Sequence, residues 1–172
     1  MNVKSKNKQG FTLIELLLYV SISAMMLLVI SVFLSSLLQS RIKNQTIAEV
    51  EQQGFQVMQM ITQTARNAEA ITSPAQGASA SSLTLDVIAS ANDPTIFDAV
   101  SGVIRFTEGV GSAISLTNSR VTTSVLTFQN LSRASTPGTI RIQFTLTHVN
   151  PEGRNEYSFS KTFIGSATLR QP

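Results

Sequence analysis

The sequence predicts an α+β fold, with one long N-terminal helix followed by and packed on a C-terminal antiparallel β-sheet domain. Three observations carry that expectation. An apolar run over residues 11–38 continues into a stripe at three- and four-residue spacing, with no proline between Phe11 and Ser73. A stretch rich in Ala, Ser and Gly, introduced by Ser73-Pro74, then ends the pattern. Beyond it, short β-branched and aromatic runs alternate with Gly- and Pro-bearing turns. A chain of 172 residues suits one folded domain plus one extended element.

The first element is a membrane span. Residues 11–38 are largely apolar, and a bilayer-crossing helix needs roughly 20 such residues. The interruptions, Thr12, Ser21, Ser23, Ser31, Ser35 and Ser36, are small hydroxyls able to bond back to the preceding turn. A soluble domain with little more than 100 other residues has too little surface to cover such a helix all round. No small-residue cleavage pattern follows Leu38, so a removable secretory signal fits poorly. Lys4, Lys6 and Lys8 precede the run and account for the whole net charge of +3. Positive residues stay on the cytoplasmic side, which puts residues 1–10 inside and the rest outside. Arg41 and Lys43 on the far side weaken that orientation signal. One carboxylate, Glu15, lies inside the apolar boundary, where an ionisable group is costly without a partner and marks a functional site.

Past Leu38 the stripe Ile47, Val50, Gly54, Val57 or Met58, Ile61, Ala65, Ala68 and Ile71 predicts an amphipathic continuation of the same helix over residues 39–72. The helix is expected from about Phe11 to about Ala70, roughly 90 Å at 1.5 Å per residue. Gly54 reads as a soft point, at about 1 kcal/mol relative to Ala. Met58 and Met60 read as packing residues. Pro74 disfavours helical geometry at Ser73, and residues 73–82 read as a flexible linker.

Residues 83–172 form the predicted extracytoplasmic β domain. Strands are expected at 83–88, 103–106, 113–116, 121–128, 140–149 and 156–169. Gly109-Val110-Gly111 marks a hairpin between the second and third, and Pro137-Gly138 and Asn150-Pro151-Glu152-Gly153 mark later turns. Near-strict alternation from Ile140 to Thr147 predicts one buried face and one wet face.

Enzyme chemistry finds no support in the residues. The single histidine, His148, closes a predicted strand with no base or nucleophile signalled beside it and reads as a surface or packing residue. Asp86, Asp93 and Asp98 lack the ligand density and closing Glu of a calcium loop. Asn92-Asp93-Pro94 with Asp98 reads as a solvated turn in preference to a loose cation site. No phosphate-binding loop or basic–aromatic stripe occurs. The 101 residues from Thr72 onward carry seven basic and six acidic side chains, which gives no support to nucleic-acid binding by bulk charge. Catalytic residues, metal ligands and cofactors are therefore none. With no cysteine, disulfides and thiolate sites are excluded, and the exported domain relies on packing.

Lys8-Gln9-Gly10-Phe11-Thr12-Leu13-Ile14-Glu15-Leu16-Leu17 resembles the type III signal of type IV pilins and type II secretion pseudopilins. That resemblance implies a pilin-like fold and a leader of residues 1–10. It implies a prepilin peptidase/N-methyltransferase that cuts after Gly10 and methylates Phe11. It implies that Glu15 serves assembly by pairing with the α-amino group of a neighbouring Phe11. Other implied partners are further pilin or pseudopilin subunits, an inner-membrane assembly platform, and membrane lipid before assembly. The implied location is a single-pass inner-membrane protein that passes into a periplasmic or surface filament. Val32 stands where major pilins often carry a proline about twenty residues into the mature chain. The cysteine pair of many major pilins is also absent. The segment from Arg66 to Ile71 and the order of strands resemble minor pilins of the PilW and PilV type and pseudopilin J. The alternative from another class is a single-pass membrane-anchored extracytoplasmic binding or sensor protein with a β domain, which keeps residues 1–10 and has no need of Glu15.

Overall fold

The computed structural model describes residues 12–170. The chain divides into two compact units, Met1–Arg41 and Ile42–Pro172. Helix α1 (Leu13–Asn67) is one unbroken element of 55 residues. The α+β expectation holds, for this long helix is followed by antiparallel sheets.

In the second unit α1 buries Thr46, Val50, Gln53, Gly54, Val57, Ile61 and Ala65, the stripe that the three- and four-residue spacing predicts. Two antiparallel sheets receive it. The first runs in the order β1 (Ala68–Ser73), β3 (Leu83–Val87), β4 (Thr95–Val100), β5 (Val103–Glu108), β6 (Ile114–Ser115). The second runs β2 (Ser79–Ala80), β7 (Val121–Asn130), β8 (Thr139–His148), β9 (Ser160–Thr168). The core joins Leu83, Leu85 and Phe97 of the first sheet to Phe128, Ile142 and Phe144 of the second, all fully buried. Each such large side chain contributes about 1.5–3 kcal/mol by leaving water. The alternation in β8 is realised, since Ile140, Ile142, Phe144 and Leu146 are buried and the residues between them are not.

The structure revises five expectations. First, α1 ends at Asn67, short of Ala70, although no proline or glycine stops it. Ala68 instead opens β1 opposite Val87, and the Arg170 N–H takes the free Arg66 carbonyl at 3.0 Å. Pairing to β3 overrides helical continuation, while Ala68 still delivers its side chain to the core. Second, residues 73–82 are not a free linker. The Gly77 N–H donates to the Asn130 carbonyl at 2.9 Å, the Gln76 amide to the Ser132 carbonyl at 2.8 Å, and β2 pairs with β7.

Third, Asp98 lies in a strand, β4, which turn signals at Asn92-Asp93-Pro94 had masked. Its carboxylate receives two bonds from the Arg105 guanidinium, 3.0 and 2.7 Å, across the β4–β5 pair. Fourth, Gly54 is a point of close approach. A Cβ there would stand 2.0 Å from the Phe163 ring. The last predicted strand, 156–169, also resolves into a short 3₁₀ turn (Asn155–Tyr157) and then β9.

Candidate functional site

The helix start is built by Thr12. Its carbonyl accepts the Leu16 N–H at 3.2 Å, and its hydroxyl accepts the Glu15 N–H at 3.3 Å, so Thr12 is the N-cap. Thr12-Leu13-Ile14-Glu15 thus has the Thr-x-x-Glu spacing of a capping box. A carboxylate in the first turn also complements the positive end of the helix dipole. The sequence reading missed this local role of Thr12, although the four-residue pattern signals it. Tyr19, one turn on, donates its hydroxyl toward the Glu15 carboxylate at 3.5 Å. Gly10 and Phe11, the expected processing residues, lie outside the described residues.

Glu15 is half-buried against its own helix, and every other residue from 12 to 41 is exposed. Leu13 and Ile14 are 79% and 75% exposed, and the apolar surface continues through Leu38. So wide an apolar surface needs lipid or other protein over it. The helix is long and apolar enough to cross a membrane. Two of its hydroxyls bond back along the helix: Ser21 donates to the Leu18 carbonyl, and Ser35 to that of Ser31, at 2.9 and 3.0 Å.

Elsewhere the candidate residues do not converge on a reaction centre. His148 is about nine-tenths buried, stacked on Tyr157 with ring centroids 5.8 Å apart, and its Nε2 is 3.8 Å from the Glu49 carboxylate. Glu49 also receives the Asn118 amide at 3.1 Å and the Arg120 guanidinium at 3.5 Å. This cluster fastens α1 to the β6–β7 loop and to the end of β8. Asp93 accepts the Val87 N–H at 3.4 Å and braces a turn, and Asp98 is committed to Arg105. Among the described residues no group of three His, Cys, Asp or Glu side chains is placed to hold a metal ion.

These features define a class first: a chain with an apolar helix fit to cross a membrane, capped at its start beside one carboxylate, and carrying an α+β head. Residues 5–36 match the family described as the prokaryotic N-terminal methylation motif. That match spans 32 of the 172 residues, all in the N-terminal segment, and supports a type IV pilin or pseudopilin relationship there. No curated protein and no solved structure matches the chain.

Proposed function

We propose that the protein is a minor pilin or pseudopilin, cut after Gly10 on the cytoplasmic side, N-methylated on Phe11 and then packed through α1 into a type IV pilus or type II secretion-like filament. The carrying observation is the methylation-motif match over residues 5–36, which takes in the start of an exposed apolar helix with a single acidic residue in its first turn. In hydrocarbon that carboxylate favours a cationic partner, and the α-amino group of a neighbouring subunit's Phe11 supplies one. Such pairing fixes axial register as apolar helices exchange lipid for one another. Val32 in place of proline and the lack of cysteine support a low-copy subunit over a major one.

Mass measurement of the N-terminus after co-expression with prepilin peptidase tests the processing step. The expected product begins at methylated Phe11, and Gly10→Val blocks it. An intact Met1, or processing that ignores Gly10→Val, would leave the anchored sensor reading in its place. Glu15→Ala is expected to be cleaved normally yet to enter filaments poorly. Normal incorporation would refute the pairing role.

A further inference from the structure

Most basic side chains of the second unit have a carboxylate or a carbonyl at hand. Arg105 bonds Asp98, Arg120 reaches Glu49, Arg154 lies between Glu152 and Glu156, and Lys161 bonds Glu51. Lys43 donates to the carbonyls of Asn155 and Ser158. The Arg66 and Arg170 side chains have no such partner, yet the fold sets the two residues side by side. Arg66 lies in the last turn of α1 and Arg170 follows β9, and the Arg170 N–H donates to the Arg66 carbonyl at 3.0 Å. A basic residue in the last turn offsets the negative end of the helix dipole, which accounts for Arg66. It does not account for a second guanidinium beside the first, since neighbouring like charges oppose one another.

The two arginines line a cavity of about 360 Å³ together with Gln63 and Asn67. Gln63, Arg66 and Asn67 share one face of α1 by their three- and four-residue spacing. All four side chains are exposed, and among the described residues none of them has a hydrogen bond or an ion pair. The lining is rich in N–H donors, from two guanidiniums and two amides. No carboxylate stands among the described residues that line it. We propose that this cavity is a phosphate site, taking phosphate free or carried on a small molecule. A guanidinium presents a planar fork that grips phosphate oxygens two at a time, and two forks answer a dianion better than one. Gln63 and Asn67 supply neutral donors for the remaining oxygens. The volume lies at the lower end of the about 300–1,000 Å³ typical of small-molecule sites, which leaves room for more than a bare ion. Bound phosphate also removes the repulsion between Arg66 and Arg170. This inference rests on the head and is independent of how the N-terminus is processed.

Full-length protein in a non-ionic detergent, titrated calorimetrically with glucose 6-phosphate at low salt, is expected to bind one equivalent with a Kd at or below about 1 mM. Arg66→Gln and Arg170→Gln each remove a guanidinium and spare the backbone bond between the two residues. Each is expected to weaken binding about tenfold, the loss of one charge-assisted contact, with an unchanged thermal transition. Arg170→Lys keeps the charge but loses the fork, and is expected to weaken binding as well. Arg141→Gln, at an exposed position on β8 outside the cavity, is expected to bind as the parent does. Inorganic phosphate is expected to compete and glucose is not. Phosphate binding as tightly as glucose 6-phosphate assigns the site to the free ion, and weaker binding assigns it to the ester. No saturation by either compound, equal weakening from Arg141→Gln, or tighter binding of succinate than of inorganic phosphate overturns the proposal.

Discussion

At the scale of single residues, the side chains that matter are those with no room or no substitute. Gly54 is a helical glycine whose replacement by alanine would ordinarily gain about 1 kcal/mol of helix propensity. Here the added methyl meets the Phe163 ring, itself stacked on Phe144 at 5.2 Å. Overpacking of that kind costs about 1–3 kcal/mol and outweighs the propensity gain. Gly54→Ala is therefore expected to lower the urea midpoint, and a raised midpoint would show that Phe163 yields freely.

Glu156 offers a pH-dependent counterpart. Its own backbone N–H, and then the Arg154 guanidinium, hold its carboxyl below the usual value of 4.5. A depressed carboxyl stabilises the folded loop fully above 4.5, and that contribution is lost as pH falls through the lowered value. Amide exchange at Tyr157 and Ser158, whose N–H groups bond to Arg154 and Asn155, is expected to speed up in that acid range. Glu156→Gln should flatten this dependence, and identical acid profiles for the two proteins would exclude Glu156 as its source.

At the scale of elements, the ordered loop after β1 depends on one buried amide. Asn130 is 3% exposed. Its Nδ2 donates to the Pro74 carbonyl at 2.8 Å, and its Oδ1 accepts the Ser132 N–H at 3.0 Å. Asn130→Ala leaves both groups unpaired, at about 1–3 kcal/mol. Limited proteolysis should then open residues 74–82 while β8 and β9 stay protected, and unchanged cleavage would show that the backbone bonds of Gly77 and Ala78 suffice.

The elements differ in how legible they were in the sequence. Strand β8 was plain because Ile140, Ile142, Phe144 and Leu146 alternate without interruption. The β5–β6 hairpin was plain because Gly109-Val110-Gly111 has one common use, and β5 does pair with β6. Strand β4 was not, because Asp98 is depleted in strands as a type and its compensation, Arg105, sits on the next strand. The same holds for β1, whose Ala68 fits a helical stripe as well as it fits a core-facing strand position. At the candidate site, the four residues from Thr12 to Glu15 carried the cap. The closeness of His148 to Glu49 had no sequence signal, because 99 residues separate them in the chain.

At the scale of the whole molecule, every buried residue among those described lies between Thr46 and Leu169. A fragment of residues 42–172 is accordingly expected to fold and to unfold cooperatively in calorimetry, with the α+β circular dichroism of the head. A broad transition without a heat-absorption peak would show that the head needs residues before Ile42. Among the described residues none before Thr46 belongs to that core.

The unbroken helix has a mechanical consequence. Within the second unit, residues 42–67 of α1 carry the core side chains Val50, Val57, Ile61 and Ala65 on one run of hydrogen-bonded turns, with no proline between them. Tension applied at Ile42 therefore meets no slack tether before that seated face. The four core residues are loaded together and are not peeled away one at a time. A subunit built this way bears a pull as a dowel bears it in a drilled block, by the full length of its seated face.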